Sequence, residues 1–188
     1  MRFIPLLTIA VWPITQATPT PITPTLLKRD GAAVITTVNT ISSSMLTLNE
    51  TVTSYAGGLL GTGTALKIEF QSLELANDLR SAISTTTDSA NFTETESLNV
   101  AGSFIDLQPN IFSTLDNIVS KKAAFDRGLL GVASLGFLVR SNLETQRDLA
   151  AQLGEAVTVK LTATYAGIAP LLNEQIRGKF EEAIAAFE

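Results

Sequence analysis

The sequence predicts an all-α protein, an up-and-down bundle of five to six amphipathic helices. After residue 30, apolar residues recur at alternating steps of three and four, which places them on one face of each helix. No segment alternates apolar and polar residues for long enough to predict a strand. The connections between the periodic segments are mostly short, so neighbouring helices should pack antiparallel.

The composition narrows the classes of function. The chain has 188 residues, of which 45% are apolar and 16% charged, enough to build the core of one domain. Its net charge of −5 argues against nucleic-acid binding, because phosphate contacts need clustered Lys and Arg. The chain contains no Cys and no His, which removes thiol nucleophiles, Ser–His relays and His-ligated metals. We therefore expect no enzyme activity, no cofactor and no metal, with a hydrolase as a weak alternative.

The N-terminus predicts export. Residues 1–17 have the pattern of a signal peptide, with Arg2 before a short apolar run and cleavage after Ala17. The alternative is a membrane anchor, but a transmembrane helix needs about 20 apolar residues and this run is shorter. Residues 18–29 are rich in Thr and Pro, favour extended chain and end in a dibasic pair. We expect a propeptide cleaved after Arg29, although an arm that stays attached is the alternative.

Residues 30–188 are then the mature single domain. Asn49 and Asn91 each begin an Asn-x-Thr sequon, which predicts exposed, glycosylated positions in a secreted protein. The sequence ends without a second hydrophobic tail, so we do not expect a lipid anchor there.

The first two helices are predicted from their apolar faces. Asp30 is a suitable N-cap for the first helix, and Gly57, Gly58 and Gly61 should end it. The second helix is expected from about residue 64 to 83, followed by a polar linker over 84–92. The inward stripe of the first helix is Val34, Val38, Ile41, Met45, Leu48, Val52 and Tyr55. The second helix has Ile68, Ser72, Leu75, Leu79 and Ile83 on one face, and Leu66, Phe70 and Leu73 about 160° away. Two apolar faces predict a helix buried between other elements.

The remaining helices follow the same pattern. Thr93 or Thr95 should cap the third helix, which is expected to end before Pro109. Pro109 should open the fourth helix, which ends near Gly128. The fifth helix is expected from about residue 131 to 164, and the sixth opens at Pro170. The inward stripe of the third helix is Leu98, Ala101 and Ile105, and that of the fourth is Ile111, Leu115, Ile118 and Phe125. The stripe of the fifth helix is Leu135, Val139, Asn142, Gln146, Leu149, Leu153 and Val157. The stripe of the sixth helix is Leu172, Ile176, Phe180, Ala183 and Phe187.

Polar residues within these stripes are the first candidate binding residues. Ser72, Asn142 and Gln146 occupy inward positions, where an unpaired polar group costs roughly 1–3 kcal/mol. They either bond to another helix or a buried water, or they face a cavity and contact a ligand head group. Large apolar side chains pose the same alternative of core packing or the wall of a ligand cavity. The candidates for such a wall are Phe70, Phe104, Phe112, Leu115 and Phe180.

The order of these features resembles the fungal hydrophobic surface-binding protein A and cell wall mannoprotein 1 family. The most distinctive elements are Lys121-Lys122-x-x-Phe125 in the fourth helix and Phe180-x-x-Ala183-Ile184-x-x-Phe187 at the end of the chain. The resemblance covers about residues 30–188.

This resemblance implies a secreted protein, extracellular or associated with the cell wall, that binds fatty acids or similar lipids in an apolar cavity between helices. The alternatives that it leaves open are adsorption to hydrophobic solid surfaces, with recruitment of a secreted polyester hydrolase, and a structural role in the cell wall. The expected partners are a fatty acid or other apolar ligand and hydrophobic surfaces. We expect a monomer or weak dimer with no transmembrane segment and no nucleic-acid partner.

Overall fold

The computed structural model describes residues 30–128 and 134–188. The predicted signal peptide and propeptide, with their cleavage positions Ala17 and Arg29, lie outside the described residues and stay predictions. The described residues form seven α-helices and one 3₁₀ turn at Leu59–Gly61, without strands, which confirms the all-α prediction. The helices are α1 Gly31–Ser54, α2 Thr62–Asp88, α3 Glu94–Ser120, α4 Lys122–Asp126, α5 Gly136–Thr158, α6 Ala163–Ala166 and α7 Ala169–Ala185. None of these helices is long and apolar enough to cross a membrane.

The five long helices form a closed ring around one axis, in the order α1, α2, α5, α7, α3 and back to α1. Consecutive long helices alternate in direction, as expected for an up-and-down bundle. Neighbours in the ring are not always consecutive in the chain, and several are parallel. The α1–α3 pair shows this, because Asn110 donates to Ser42 Oγ (2.8 Å) and Asn117 donates to the Asn49 carbonyl (3.0 Å). Both pairs are separated by 68 residues in the sequence, as expected for two parallel helices. The prediction that neighbours pack antiparallel therefore holds along the chain but not around the ring.

The inward stripe of α1 supplies one wall of the core. All seven stripe residues predicted for this helix are buried. Asp30 is the N-cap, and its Oδ1 accepts a hydrogen bond from the amide of Ala33 at 2.9 Å. The helix ends three residues before Gly57, whose φ of +74° favours glycine. A Cβ at this position would lie 2.5 Å from the carbonyl oxygen of Ala124, so the turn also needs glycine for close contact with α4.

An aromatic cluster closes the end of the ring that carries α4. The rings of Tyr55 and Phe125 are 4.8 Å apart, and Phe125 meets Phe187 edge-on at 6.0 Å. Lys122 Nζ lies 5.5 Å from the centre of the Phe187 ring. Both elements that carry the family resemblance therefore meet at this end, which we call the closed end.

The second helix is longer than the sequence predicts. It continues to Asp88, so most of the expected polar linker is helical. Its added turns face the core through Thr86, which is fully buried. The Thr87 hydroxyl donates to the carbonyl of Ile83 at 2.7 Å, which satisfies a polar group that would otherwise favour a turn. Burial and these local bonds outweigh the weak helix propensity of the Thr run.

The predicted break at Pro109 is wrong, because α3 runs unbroken from Glu94 to Ser120 with Pro109 inside it. A proline inside a helix costs about 3 kcal/mol. Leu107 and Ile111 are both buried, so the helix packs against the core on each side of the proline. That burial holds the two halves in one helix. The start is as predicted, since Thr93 and Glu96 form a capping box.

The last long helices differ from the prediction mainly in where α5 ends. It stops at Thr158 rather than near residue 164, and the predicted start at residue 131 lies outside the described residues. The connection that follows contains the short α6, and α7 then begins at Ala169 with Pro170 in its first turn, as predicted.

The outer face of α2 also departs from the prediction. Leu66, Phe70 and Leu73 are each at least half exposed. The helix packs between α1 and α5 in the ring, and no further element among the described residues covers its outer side. The expectation that both faces would be buried is therefore wrong.

Candidate functional site

Three cavities lie in a row along the axis of the ring. The mouth cavity, of about 220 Å³, is lined by α3, the end of α5, α6 and the first turns of α7. The central cavity, of about 40 Å³, is lined by residues of all five long helices. The far cavity, of about 20 Å³, lies toward the closed end and is lined by α1, α2, α3, α4 and α5. Five helices in a ring cannot all touch at its axis, so this packing leaves space there.

The mouth exists because α7 is short. It has 17 residues, against 27 in α3, so it spans about 15 Å less of the bundle length. The connection between α5 and α7 covers the resulting gap beside α3. Ile105, Ile168 and Leu171 line the opening and are each more than half exposed, so the rim is apolar.

The polar groups of the mouth are neutral. No charged residue of the described chain lines any of the three cavities. Gln108 donates to Gln175 Oε1 at 2.8 Å on the rim. The side chains of Tyr165 and Asn173 have no hydrogen-bond partner among the described residues, although both line the mouth. A ligand head group would therefore meet amide and hydroxyl groups.

The charged side chains instead pair outside the cavities. Lys179 Nζ lies 2.6 Å from Asp116 Oδ1 and 2.8 Å from Glu182 Oε2. The Asp116 carboxylate, and after it Glu182, raise the pKa of the Lys179 ammonium group. This cluster fastens α3 to α7 on the surface and leaves the interior apolar.

The passage from the mouth into the central cavity runs between three residues. Phe104, Gly154 and Asn173 line both cavities. A Cβ at Gly154 would lie only 2.7 Å from Cγ of Asn173, closer than Cβ contacts in proteins. Gly154 therefore allows α7 to bring Asn173 against α5 at the passage.

Comparison with known proteins identifies the family. The family model for hydrophobic surface binding protein A matches residues 31–158 of this chain. The chain belongs to the hydrophobic surface binding protein A family. This confirms the resemblance that the sequence showed.

The relatives of this chain include cell wall mannoprotein 1 of Aspergillus fumigatus. It is 25% identical over 166 residues, which are 88% of this chain and 55% of that protein. This chain therefore spans about half the length of the curated relative that it matches.

Two solved structures share the fold. The crystal structure of Afmp4p in complex with palmitic acid is 28% identical, with a TM-score of 0.78, and the match covers 85% of this chain and 100% of that one. Ligand binding domain 1 of the Penicillium marneffei MP1 protein, complexed with arachidonic acids, is 21% identical with a TM-score of 0.76. That match covers 85% of this chain and 99% of the domain, and shows the fold alone.

The residues predicted to contact a ligand lie at different places in this family fold. Phe104 is at the passage, and Phe180 lines the central cavity. Leu115 is buried between the levels of the central and far cavities. Phe112 packs against the core without lining any of the three cavities. Phe70 is 71% exposed on the outer face of α2, away from the axis.

The predicted polar contacts are hydrogen-bonded between helices. Gln146 Nε2 donates to Ser72 Oγ at 2.8 Å, and Asn142 Nδ2 donates to Glu69 Oε2 at 2.7 Å. All three predicted residues line the far cavity, and Gln146 also lines the central one. Their roles as ligand contacts stay predictions.

The sequence reasoning missed Gly154, Tyr165 and Asn173. Asn173 had a signal, because it interrupts the apolar stripe of the last helix between Leu172 and Ile176. Gly154 follows Leu153 in the stripe of α5, where a small residue indicates a close helix contact. Tyr165 lay in the short segment predicted to join the fifth helix to the sixth.

The two sequons differ in their surroundings. Asn91 is exposed between α2 and α3. Asn49 lies within α1 and is half-buried, and its side chain bonds to Ser113 Oγ (3.3 Å) and to Asn117 Nδ2 (2.6 Å). Asn91 is the better placed of the two to carry a glycan, and glycosylation at either position stays a prediction.

Proposed function

We propose that this protein binds a fatty acid or a similar single-chain lipid, with the acyl tail along the axis of the helix ring. The observation that carries the proposal is the row of apolar cavities that opens through a mouth between α3, α5, α6 and α7. The 28% identity to Afmp4p, which is solved in complex with palmitic acid, supports the same ligand class.

The lipid enters tail first in this proposal. An ionised carboxylate is costly in an apolar interior without a partner, and no described cation lines the cavities. The mouth holds neutral donors on Asn173, Tyr165 and Gln175, where a carboxylate keeps contact with water. The head group therefore stays at the mouth.

Loading requires the core to open slightly. The central cavity of about 40 Å³ is small beside the roughly 300–1,000 Å³ of typical ligand pockets. Side chains on facing helices, such as Phe104 and Ile176, must move apart to admit a tail. Without Cys, the chain has no disulfide to oppose this movement.

Calorimetry on extracted protein tests the proposal. The secreted protein, freed of lipid by organic extraction, should bind palmitic acid at a ratio near one to one. Phe104→Ala should weaken binding because it removes a wall of the passage. Phe112→Ala is the matched control, since Phe112 lies on the same helix and lines none of the cavities. No heat of binding with any long-chain acid would refute the proposal.

A second candidate function is adsorption to hydrophobic solid surfaces, which the name of the family model also describes. The outer face of α2 carries exposed Leu66, Phe70 and Leu73, and the neighbouring α5 exposes 82% of Phe137. Neighbouring exposed apolar side chains form the kind of patch that can mark an interaction site. The bundle can adsorb through this face without opening.

Bead binding separates this second function from the first. A Phe70→Ser/Leu73→Ser variant should adsorb less to polystyrene beads and bind palmitic acid as the wild type does. Leu98→Ser is the control, because Leu98 is similarly exposed but lies on α3. Equal adsorption of all three proteins would exclude the α2 face.

We also propose that the protein is an extracellular, non-enzymatic member of its family. The lack of Cys and His supports this, as does the export signal that the sequence predicts. N-terminal sequencing of the secreted protein should begin at Asp30. A screen on ester, peptide and glycoside substrates should show no turnover, and reproducible hydrolysis would contradict this part of the proposal.

A further inference from the structure

A polar pair divides the row of cavities. Gln146 lines both the central and the far cavity, and Ser72 lines the far cavity beside it. Gln146 is 4% exposed and Ser72 is 7% exposed. The Gln146 amide donates to Ser72 Oγ at 2.8 Å and approaches the Ser72 carbonyl at 3.4 Å. This bond joins α5 to α2 across an otherwise apolar interior.

A buried side chain of α3 also lies at this level. On α3, Ile111 lines the central cavity and Ile118 the far one, while Leu115 between them lines neither and is 1% exposed. Gln146 occupies the corresponding place on α5, between Ala150 and Leu143. The two cavities are therefore separated by a layer of side chains that contains one interhelical hydrogen bond.

From these contacts we propose that the Gln146–Ser72 pair is the floor of the acyl site and sets the chain length that it accepts. This inference rests on the proposed lipid-binding function. It assigns the pair a role in selecting the length of the tail, at the boundary between the central and the far cavity.

The energies favour a tail that stops at this floor. Passing it breaks the bond and leaves a buried amide unpaired, which weakens binding by roughly 5- to 150-fold (about 1–3 kcal/mol). Each further buried methylene strengthens binding roughly fourfold (about 0.8 kcal/mol). The far cavity of about 20 Å³ has little room for methylenes that could offset the loss.

The geometry of α5 gives the length of the path on each side of the floor. Gly154 at the passage and Gln146 at the floor are eight residues apart on α5, about 12 Å along its axis. From Gln146 to Val139, at the other end of the far cavity, the distance is about 10 Å more. Replacement of Gln146 should therefore let the tail extend past this position by at least one methylene, along the roughly 10 Å that lead to Val139.

Affinity measured against chain length tests the inference. Extracted wild-type protein is titrated with saturated fatty acids from octanoic to behenic acid. Affinity should rise roughly fourfold per methylene and then reach a plateau. In Gln146→Ala and Gln146→Leu the plateau should move to longer acids, with at least a fourfold gain for acids beyond the wild-type plateau. Gln146→Leu keeps most of the side-chain volume and guards against misfolding of the alanine variant.

Thr114→Val is the matched control. Thr114 is a buried polar residue whose hydroxyl donates to the Asn110 carbonyl at 2.8 Å within α3 and lies 3.5 Å from the Met45 carbonyl of α1. It lines none of the three cavities. Its plateau should stay at the wild-type length. If the wild type binds the acids and both Gln146 variants keep its plateau, the floor is refuted and the lipid site stands. If the wild type binds none of the acids, the proposed function fails and the floor with it.

Discussion

Replacement of Gly154 by alanine is expected to narrow the passage between the mouth and the central cavity while the bundle stays folded. The new Cβ would lie 2.7 Å from Cγ of Asn173 and 2.8 Å from its Nδ2. Because Gly154 and Asn173 both line the passage, the side chain of Asn173 has to move within it. The tail of a bound lipid would then reach less of the central cavity.

The structure allows the size of the effect to be worked out. Alanine in a helix interior is favoured over glycine by about 1 kcal/mol, and overpacking typically costs 1–3 kcal/mol. The free energy of unfolding should therefore change by less than about 2 kcal/mol. Each methylene kept out of the cavity costs about 0.8 kcal/mol of binding, and two already correspond to more than a tenfold loss of affinity.

Titration calorimetry with palmitic acid, beside thermal melts, measures both quantities. Gly178→Ala is the matched control, because Gly178 lies within α7 and a Cβ there would have no neighbour within 4 Å. It should gain stability through helix propensity and bind as the wild type does. A folded Gly154→Ala protein with wild-type affinity would show that lipids do not enter through this passage.

Three further substitutions test the packing around the site. Leu115→Ala should lower the free energy of unfolding by about 2–5 kcal/mol in urea denaturation, because the side chain is fully buried. Thr93→Ala should cost about 1 kcal/mol in thermal melts, since it removes the capping box of α3. Tyr55→Phe should be neutral or stabilising by about 1 kcal/mol near neutral pH, because the buried hydroxyl has no partner among the described residues. Burial raises the pKa of Tyr55 above its usual value, so the wild type should lose stability above about pH 10, where the unfolded phenol ionises, and Tyr55→Phe should lose less.

The sequence was sufficient to predict helices and their inward faces where local spacing and burial agree. In α1 the three-four spacing repeats without interruption, and every predicted inward residue is buried. The caps at Asp30 and Thr93 depend only on a side chain and an amide three residues away, so local reasoning could place them. The first turn of α7 at Pro170 follows from the same kind of rule.

Local rules failed where tertiary packing opposed them. Pro109 and the Thr run at the end of α2 both predict breaks, yet both segments stay helical because their inward faces are buried. The cost of a proline or of weak propensity is known from the sequence. The apolar area that offsets this cost depends on which helices lie on each side, and the sequence does not state this.

Prediction of the candidate site also requires knowledge of which helices are neighbours. Spacing identified Phe180 and Gln146 as inward residues, and Phe104 was a candidate only as a large apolar side chain. All three line the row of cavities. The mouth could not be predicted, because it requires that α7 be a neighbour of both α3 and α5 and be shorter than either. The closeness of Asn173 to Gly154 follows from that neighbourhood and not from any motif.

The ring order places the two exposed apolar surfaces, the outer face of α2 and the rim of the mouth, on opposite sides of the bundle. In the order α1, α2, α5, α7, α3, the α2 helix lies opposite the α3–α7 edge where the mouth opens. A protein adsorbed through Phe70 and the rest of the outer α2 face would turn its mouth away from the surface. The same helix lines the central cavity with Leu75 and Leu79 on its inner face. Adsorption by this face and lipid binding can therefore occur together, whereas adsorption by the apolar rim around Leu171 would cover the mouth and make the two compete.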